Sequence, residues 1–74
     1  MQAIWATFQD KAKTKRDMSS AEYHVASKWA DRNIPLPVVL RGLHEFEGVP
    51  RRLEACVVSV EKSEAYYRKA MGLI

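Results

Sequence analysis

Asn33-Ile34-Pro35-Leu36-Pro37-Val38-Val39-Leu40-Arg41-Gly42-Leu43 is the stretch whose reading decides the fold. In the first turn of a helix a proline removes only an amide that has no acceptor there, so Pro35 and Pro37 mark a helix start. Pro37 disfavours helical geometry at Leu36, so the first turn begins there or one or two residues later. Beyond the prolines, Leu36, Val39, Leu40, Leu43 and Phe46 recur with a helical period and predict one buried face. Arg41 and Glu45, four residues apart, fall opposite that face as a solvated pair. Gly48 is placed to end the helix and Pro50 blocks its continuation. Val38 and Gly42 lie beside the buried face. A helical glycine costs about 1 kcal/mol relative to alanine, so Gly42 is either simply tolerated or marks the close approach of a second helix.

Upstream, the strongest start signal is Ser19 with Glu22 three residues on, the pattern of a capping box. Met18 before the cap and Tyr23 in the first turn fit a hydrophobic staple. Val25, Ala26 and Trp29 continue the apolar stripe of this second helix. Asp31-Arg32-Asn33 closes it, with Asn33 suited to left-handed geometry. Further upstream, Met1, Trp5, Phe8 and Ala12 recur at helical spacing with Ile4 beside them, which predicts an amphipathic helix over residues 2–15. Its end carries Lys11, Lys13, Lys15 and Arg16, a group that either complements the helix dipole or forms a phosphate-binding patch.

Downstream of Pro50, Leu53, Val57, Val60, Glu64, Tyr67 and Met71 alternate by four and three residues, with Cys56 alongside. This is a seam of the kind found in helix pairs, on one long helix. Glu64 is its polar intruder, either paired with Arg68 at a frayed end or preceded by a bend. A break near Ser59 is the alternative. The expectation is therefore a single all-α domain over residues 1–74. It is a three- or four-helix bundle with a long C-terminal helix, packed around Trp5, Phe8, Trp29, Leu36, Val39, Leu40, Leu43, Leu53, Val57 and Val60.

Seventy-four residues place the chain where one core is marginal, since a domain of this size buries only about 60–65% of its unfolded surface. The chain has one cysteine, so no disulfide staples it, and a reducing, cytoplasmic setting is expected. The first residues lack the basic-then-apolar layout of a secretory signal, and no apolar run approaches the roughly 20 residues that span a bilayer. Twelve Lys and Arg against nine Asp and Glu give a net charge of +3, which permits nucleic-acid binding without requiring it.

The residues of enzyme chemistry are sparse. His24 and His44 lie on different helices with no ligand at metal-binding spacing. Cys56 falls on an apolar face as a core thiol rather than a nucleophile. The three glycines are scattered and form no phosphate loop. No enzyme activity, cofactor, metal or small-molecule substrate is expected.

Two functions remain. The first is an accessory protein that grips nucleic acid by its backbone through Lys11, Lys13, Lys15 and Arg16, through Arg51 and Arg52 at a helix start, and through Arg68 and Lys69, with Tyr66 stacking on a base. The second is an interaction or regulatory subunit that self-associates or docks on a larger protein through Val38, Gly42, Val58, Tyr67 and Met71. In this second case Val38 and Val58 are expected to be exposed.

The run from Ala21 to Gly42 resembles a family of small uncharacterised bacterial helical proteins that share a Ser-containing cap, a Trp near the end of the next helix, an Ile/Val-Pro-Leu and a Val-Leu pair. Here these are Ser19, Trp29, Ile34-Pro35-Leu36 and Val39-Leu40. A looser likeness is to the C-terminal domain of DnaD-type replication proteins, carried by Trp29, the helix after it and Tyr66-Tyr67-Arg68-Lys69. It implies single-stranded DNA binding by a basic, aromatic final helix, and a setting in replication; the shortness of the chain would also suit mobile-element control.

Overall fold

In a computed structural model, residues 2–72 are described. They form α1 (Gln2–Ala12), α2 (Ser20–Asp31), α3 (Leu36–Glu45), a 3-10 turn (Leu53–Cys56) and α4 (Val57–Ala70), with no strand among them. The all-α bundle with a long C-terminal helix is therefore as expected. The 3-10 turn and α4 run on as one helical segment over residues 53–70, and the helix continues through Ser59 without a break. No helix among the described residues is long and apolar enough to cross a membrane.

α1 stops earlier than its pattern predicts. Lys13 takes left-handed geometry at φ 55, and the Thr14 N–H donates back to the Gln9 carbonyl at 3.1 Å. That closure ends the helix as a glycine would and turns Lys15 and Arg16 into a returning loop. Asn33 ends α2 in the same way, at φ 57 with the Ile34 N–H on the Trp29 carbonyl at 3.2 Å. The capping box at the start of α2 forms in full between Ser19 and Glu22. Of the two residues of the expected hydrophobic staple, Met18 packs against the core and Tyr23 is exposed.

α3 starts behind Pro35, whose carbonyl accepts from both Val38 and Val39 N–H groups. Its buried residues are Val38, Val39, Gly42 and Leu43, so the core face is turned toward Val38 and Gly42. Leu36, expected inside, is 44% exposed, and Leu40 is only half-buried. Gly42 explains the rotation. A Cβ there would lie 2.6 Å from the Cα of Val60, so α4 crosses α3 at the glycine itself. The close-approach reading of Gly42 is the right one. Arg41 and Glu45 pair at 3.5 Å in solvent, as expected.

The core comprises Ile4, Phe8, Ala26, Trp29, Ile34, Val38, Val39, Leu43, Leu53, Cys56 and Val60. Trp5 stacks on Phe8 at 4.8 Å between ring centroids but remains half-buried. Met1, the first residue of the expected stripe on α1, lies outside the described residues. The helix-pair seam largely closes inside the chain: Leu53 and Val60 are fully buried, while Met71 is left 60% exposed.

Candidate nucleic-acid interface

The loop that returns after Lys13 delivers Arg16 to the start of α2. Its guanidinium grips the Glu22 carboxylate with two parallel bonds, Nη1 to Oε1 at 2.6 Å and Nη2 to Oε2 at 2.7 Å. Paired geometry of this kind makes a strong charge-assisted contact. Nη2 also donates to the Arg51 carbonyl at 2.9 Å and Nη1 to the Asp17 carbonyl at 3.1 Å. The guanidinium carbon lies 5.2 Å from the Trp5 ring centroid, and the Trp5 indole N–H donates to the Arg16 carbonyl at 3.2 Å.

Glu22 is the buried half of this latch. Besides Arg16 it accepts the Ser19 N–H at 3.0 Å and the buried Leu53 N–H at 2.9 Å. One carboxylate thus joins the returning loop, the start of α2 and the 3-10 turn. The Arg16 bond, outweighing burial, and then the Ser19 and Leu53 amides hold its pKa down from 4.5 to about 2. Glu54 adds negative charge near Arg16, and its buried Oε1 has no hydrogen-bond partner among the described residues.

The latch sorts the expected cations. Arg16 is committed to Glu22 and the Arg51 carbonyl, so it positions the loops rather than offering a free charge. Lys11 donates to the His44 carbonyl at 3.0 Å and ties α1 to the end of α3. Lys13, Lys15, Arg51 and Arg52 are exposed and have no carboxylate within ion-pair distance among the described residues. Arg51 and Arg52 stand at a helix start, as expected. They stand just before the 3-10 turn, with Arg52 at its extended cap position. A shallow pocket beside them is lined by Ser19, Ser20 and Glu22.

Tyr66, Arg68 and Lys69 are not part of this group. They sit near the far end of the 53–70 segment, about 20 Å away at helical rise. Arg68 pairs with Glu64 at 3.2 Å, as the four-residue spacing predicts. Glu64 is buried rather than frayed, because Arg32 from the end of α2 reaches it at 2.6 Å. Tyr66 is 63% exposed beneath Arg41, whose guanidinium carbon lies 5.2 Å from the ring centroid.

The expected partner surface is also divided. Val38, expected to be exposed, is 8% exposed because α4 covers it, and its carbonyl accepts the Ser63 hydroxyl at 2.8 Å. Gly42 is spent on the contact with Val60. Val58 is exposed, but beside Glu45 and Lys62, away from Tyr67 and Met71. Cys56 is fully buried, and burial raises its thiol pKa from 9.0 to about 11. Among the described residues no group of His, Cys, Asp and Glu is arranged to hold a metal ion.

Sequence reasoning missed the Arg16–Glu22 and Arg32–Glu64 bridges. The signals available were the role of Glu22 in the capping box and the intrusion of Glu64 into an apolar seam. The chain matches no model of a known protein family, no curated protein and no solved structure.

Proposed function

We propose that this chain is a small non-enzymatic accessory protein that binds nucleic acid through the phosphate backbone. The bond from Arg16 to the Arg51 carbonyl carries the reading. It ties two loops that are 35 residues apart in sequence, bringing the loop that carries Lys13 and Lys15 against the one that carries Arg51 and Arg52. Unpaired cations on short, braced loops meet phosphates with little ordering cost, because the loops are already fixed. Shallow loops carry no element that enters a groove, which favours backbone contact over base reading. A setting in replication, as the DnaD resemblance implies, or in mobile-element control, as the short chain suits, belongs to the same proposal, with a cytoplasmic location.

Fluorescence anisotropy with short single- and double-stranded oligonucleotides across a salt series tests it. Binding through Z phosphates weakens with a log–log slope of about −0.7Z on single strands. Charge reversal at both Arg51→Glu and Arg52→Glu is expected to flatten that slope, while Lys69→Glu at the far end leaves it unchanged. Absence of binding at low salt, or a slope indifferent to the Arg51 and Arg52 changes, sinks the reading. The second reading, a subunit that docks on a larger protein, is favoured by the exposure of Leu36, Tyr66 and Met71.

A further inference from the structure

Tyr66, the stacking aromatic expected from the sequence, stands near the far end of α4, away from the cations of the interface. A different aromatic stands beside them. The Trp5 indole N–H donates to the Arg16 carbonyl at 3.2 Å. The Arg16 guanidinium carbon lies 5.2 Å from the Trp5 ring centroid, and its Nη2 donates to the Arg51 carbonyl at 2.9 Å. Trp5 is therefore built into the junction of the loop that carries Lys13 and Lys15 and the loop that carries Arg51 and Arg52.

The indole is stacked on one side only. Phe8 packs on it with 4.8 Å between ring centroids. The Arg16 guanidinium carbon is 5.2 Å from the Trp5 centroid and 5.8 Å from that of Phe8. A group almost equally far from two stacked rings lies beside the stack, not on the outer face of Trp5. Trp5 also lines a surface depression of about 360 Å³, together with Gln2, Ala6, Gln9 and Met18. The first four residues form one stripe of α1, and Met18 closes the wall from the returning loop. Ala6 brings only a methyl group, which keeps the depression open. The Trp5 and Gln9 N–H donors are both already committed to the Arg16 carbonyl, at 3.2 and 3.1 Å. The depression is therefore a mostly apolar seat beside an indole, and a flat ring fits it.

The charges around the seat suit phosphates. Gln9 also lines the adjoining pocket, where Lys13 and Lys15 stand. Both lysines are exposed, with no carboxylate within ion-pair distance among the described residues. Asp10 lines that pocket too and is the opposing charge there. On the side of Arg16 the surface continues to Arg51 and Arg52.

We propose that the interface is specific for single-stranded nucleic acid, with one unpaired base seated on Trp5. Its flanking phosphates meet Lys13 and Lys15 on one side and Arg51 and Arg52 on the other. This rests on the nucleic-acid reading above and adds to it the class of strand. A base in a duplex already has both faces stacked, so a duplex offers its backbone and leaves the seat empty. Stacking is tolerant of base identity, in keeping with a surface that does not read sequence. An apolar peptide could fill the seat, but it would leave the four cations without anions.

The test uses the full chain and fluorescein-labelled strands of about ten nucleotides. One is an oligothymidylate, one is the same strand with abasic spacers in place of its bases, and one is a blunt duplex. At equal salt the oligothymidylate is expected to bind roughly tenfold more tightly than the abasic strand, with the same salt slope. Unlabelled oligothymidylate is expected to quench Trp5 emission, while the abasic strand and the duplex leave it unchanged. Trp29 is buried in the core and gives a constant background. Trp5 packs on Phe8, so the seat is probed at its exposed neighbour instead. Ala6→Leu fills the depression and is expected to bring the oligothymidylate and abasic strands to equal affinity, with the circular-dichroism spectrum and the salt slope unchanged. The inference is overturned, and the backbone reading kept, if those two strands bind the parent protein alike, if the duplex quenches Trp5 equally, or if Ala6→Leu leaves the tenfold ratio intact. Emission that changes with protein concentration alone assigns the seat to a second copy and also overturns it. No binding of any strand at low salt sinks both readings together.

Discussion

Gly42 and Val60 meet backbone to backbone: a Cβ on Gly42 would lie 2.6 Å from the Val60 Cα and 3.0 Å from its amide nitrogen. Neither atom can swing aside as a side chain would. Gly42→Ala improves helix propensity by about 1 kcal/mol, but overpacking of this sort costs about 1–3 kcal/mol. Here it presses on main chain, so the cost wins. The thermal midpoint is expected to fall, at roughly 4–8 °C per kcal/mol for a domain of this size. A midpoint that holds or rises would mean that α3 and α4 can part freely.

The rotation of α3 about that contact ranks its leucines. Leu43 is fully buried and Leu40 only partly. Leu43→Ala is expected to cost about 2–5 kcal/mol, as buried leucine truncations do. That is a large share of the stability of so small a domain. Leu40→Ala leaves part of its surface already in water and is expected to cost clearly less. Urea denaturation of the two variants, compared at equal slope, checks the order; equal losses would place the core face where the bare sequence pattern puts it.

The reason that pattern pointed slightly wrong is Gly42. A residue without a side chain does not count as apolar in a periodic stripe, yet it is where the neighbouring helix sits deepest. Local signals were otherwise legible. Ser19 with Glu22 gave the start of α2, Asn33 gave its end, and Pro35 with Pro37 gave the start of α3. The candidate site was less so. Lys13 turns the chain in a left-handed geometry that nothing in its residue type announces, and that turn makes Arg16 a brace instead of an exposed charge. The Arg32–Glu64 bridge spans 32 residues, and its pairing depends on where the end of α2 falls beside α4, which no local pattern announces.

Cys56 gives a readout of global opening. Its thiol is fully buried and burial lifts its pKa to about 11, so little thiolate exists near neutral pH and none is accessible. A thiol-specific disulfide reagent is expected to label it at the rate of unfolding, and rapidly only in denaturant. Fast labelling of the native protein would show that the 3-10 turn opens on its own.

Glu22 predicts the acid limb of the stability curve. Its carboxylate is ionised in the folded chain down to about pH 2, against an ordinary value of 4.5. Above 4.5 it is charged in both folded and unfolded states, and its stabilising contribution is complete. As the pH falls from 4.5 toward 2, the unfolded chain takes up the proton first, so stability drains away through that window. Glu22→Gln keeps the shape but leaves one acceptor oxygen for the donors of Ser19, Leu53 and Arg16, and it sets an amide NH2 against a guanidinium. The variant is expected to melt at lower temperature near neutral pH, and its deficit relative to the parent is expected to shrink between pH 4.5 and 2. Other carboxylates titrate in the same range, so the difference between the two proteins is the quantity to follow. Thermal melts at closely spaced pH values give it directly. A deficit that stays constant across the window would assign the acid limb to other groups and leave Glu22 as a cap alone.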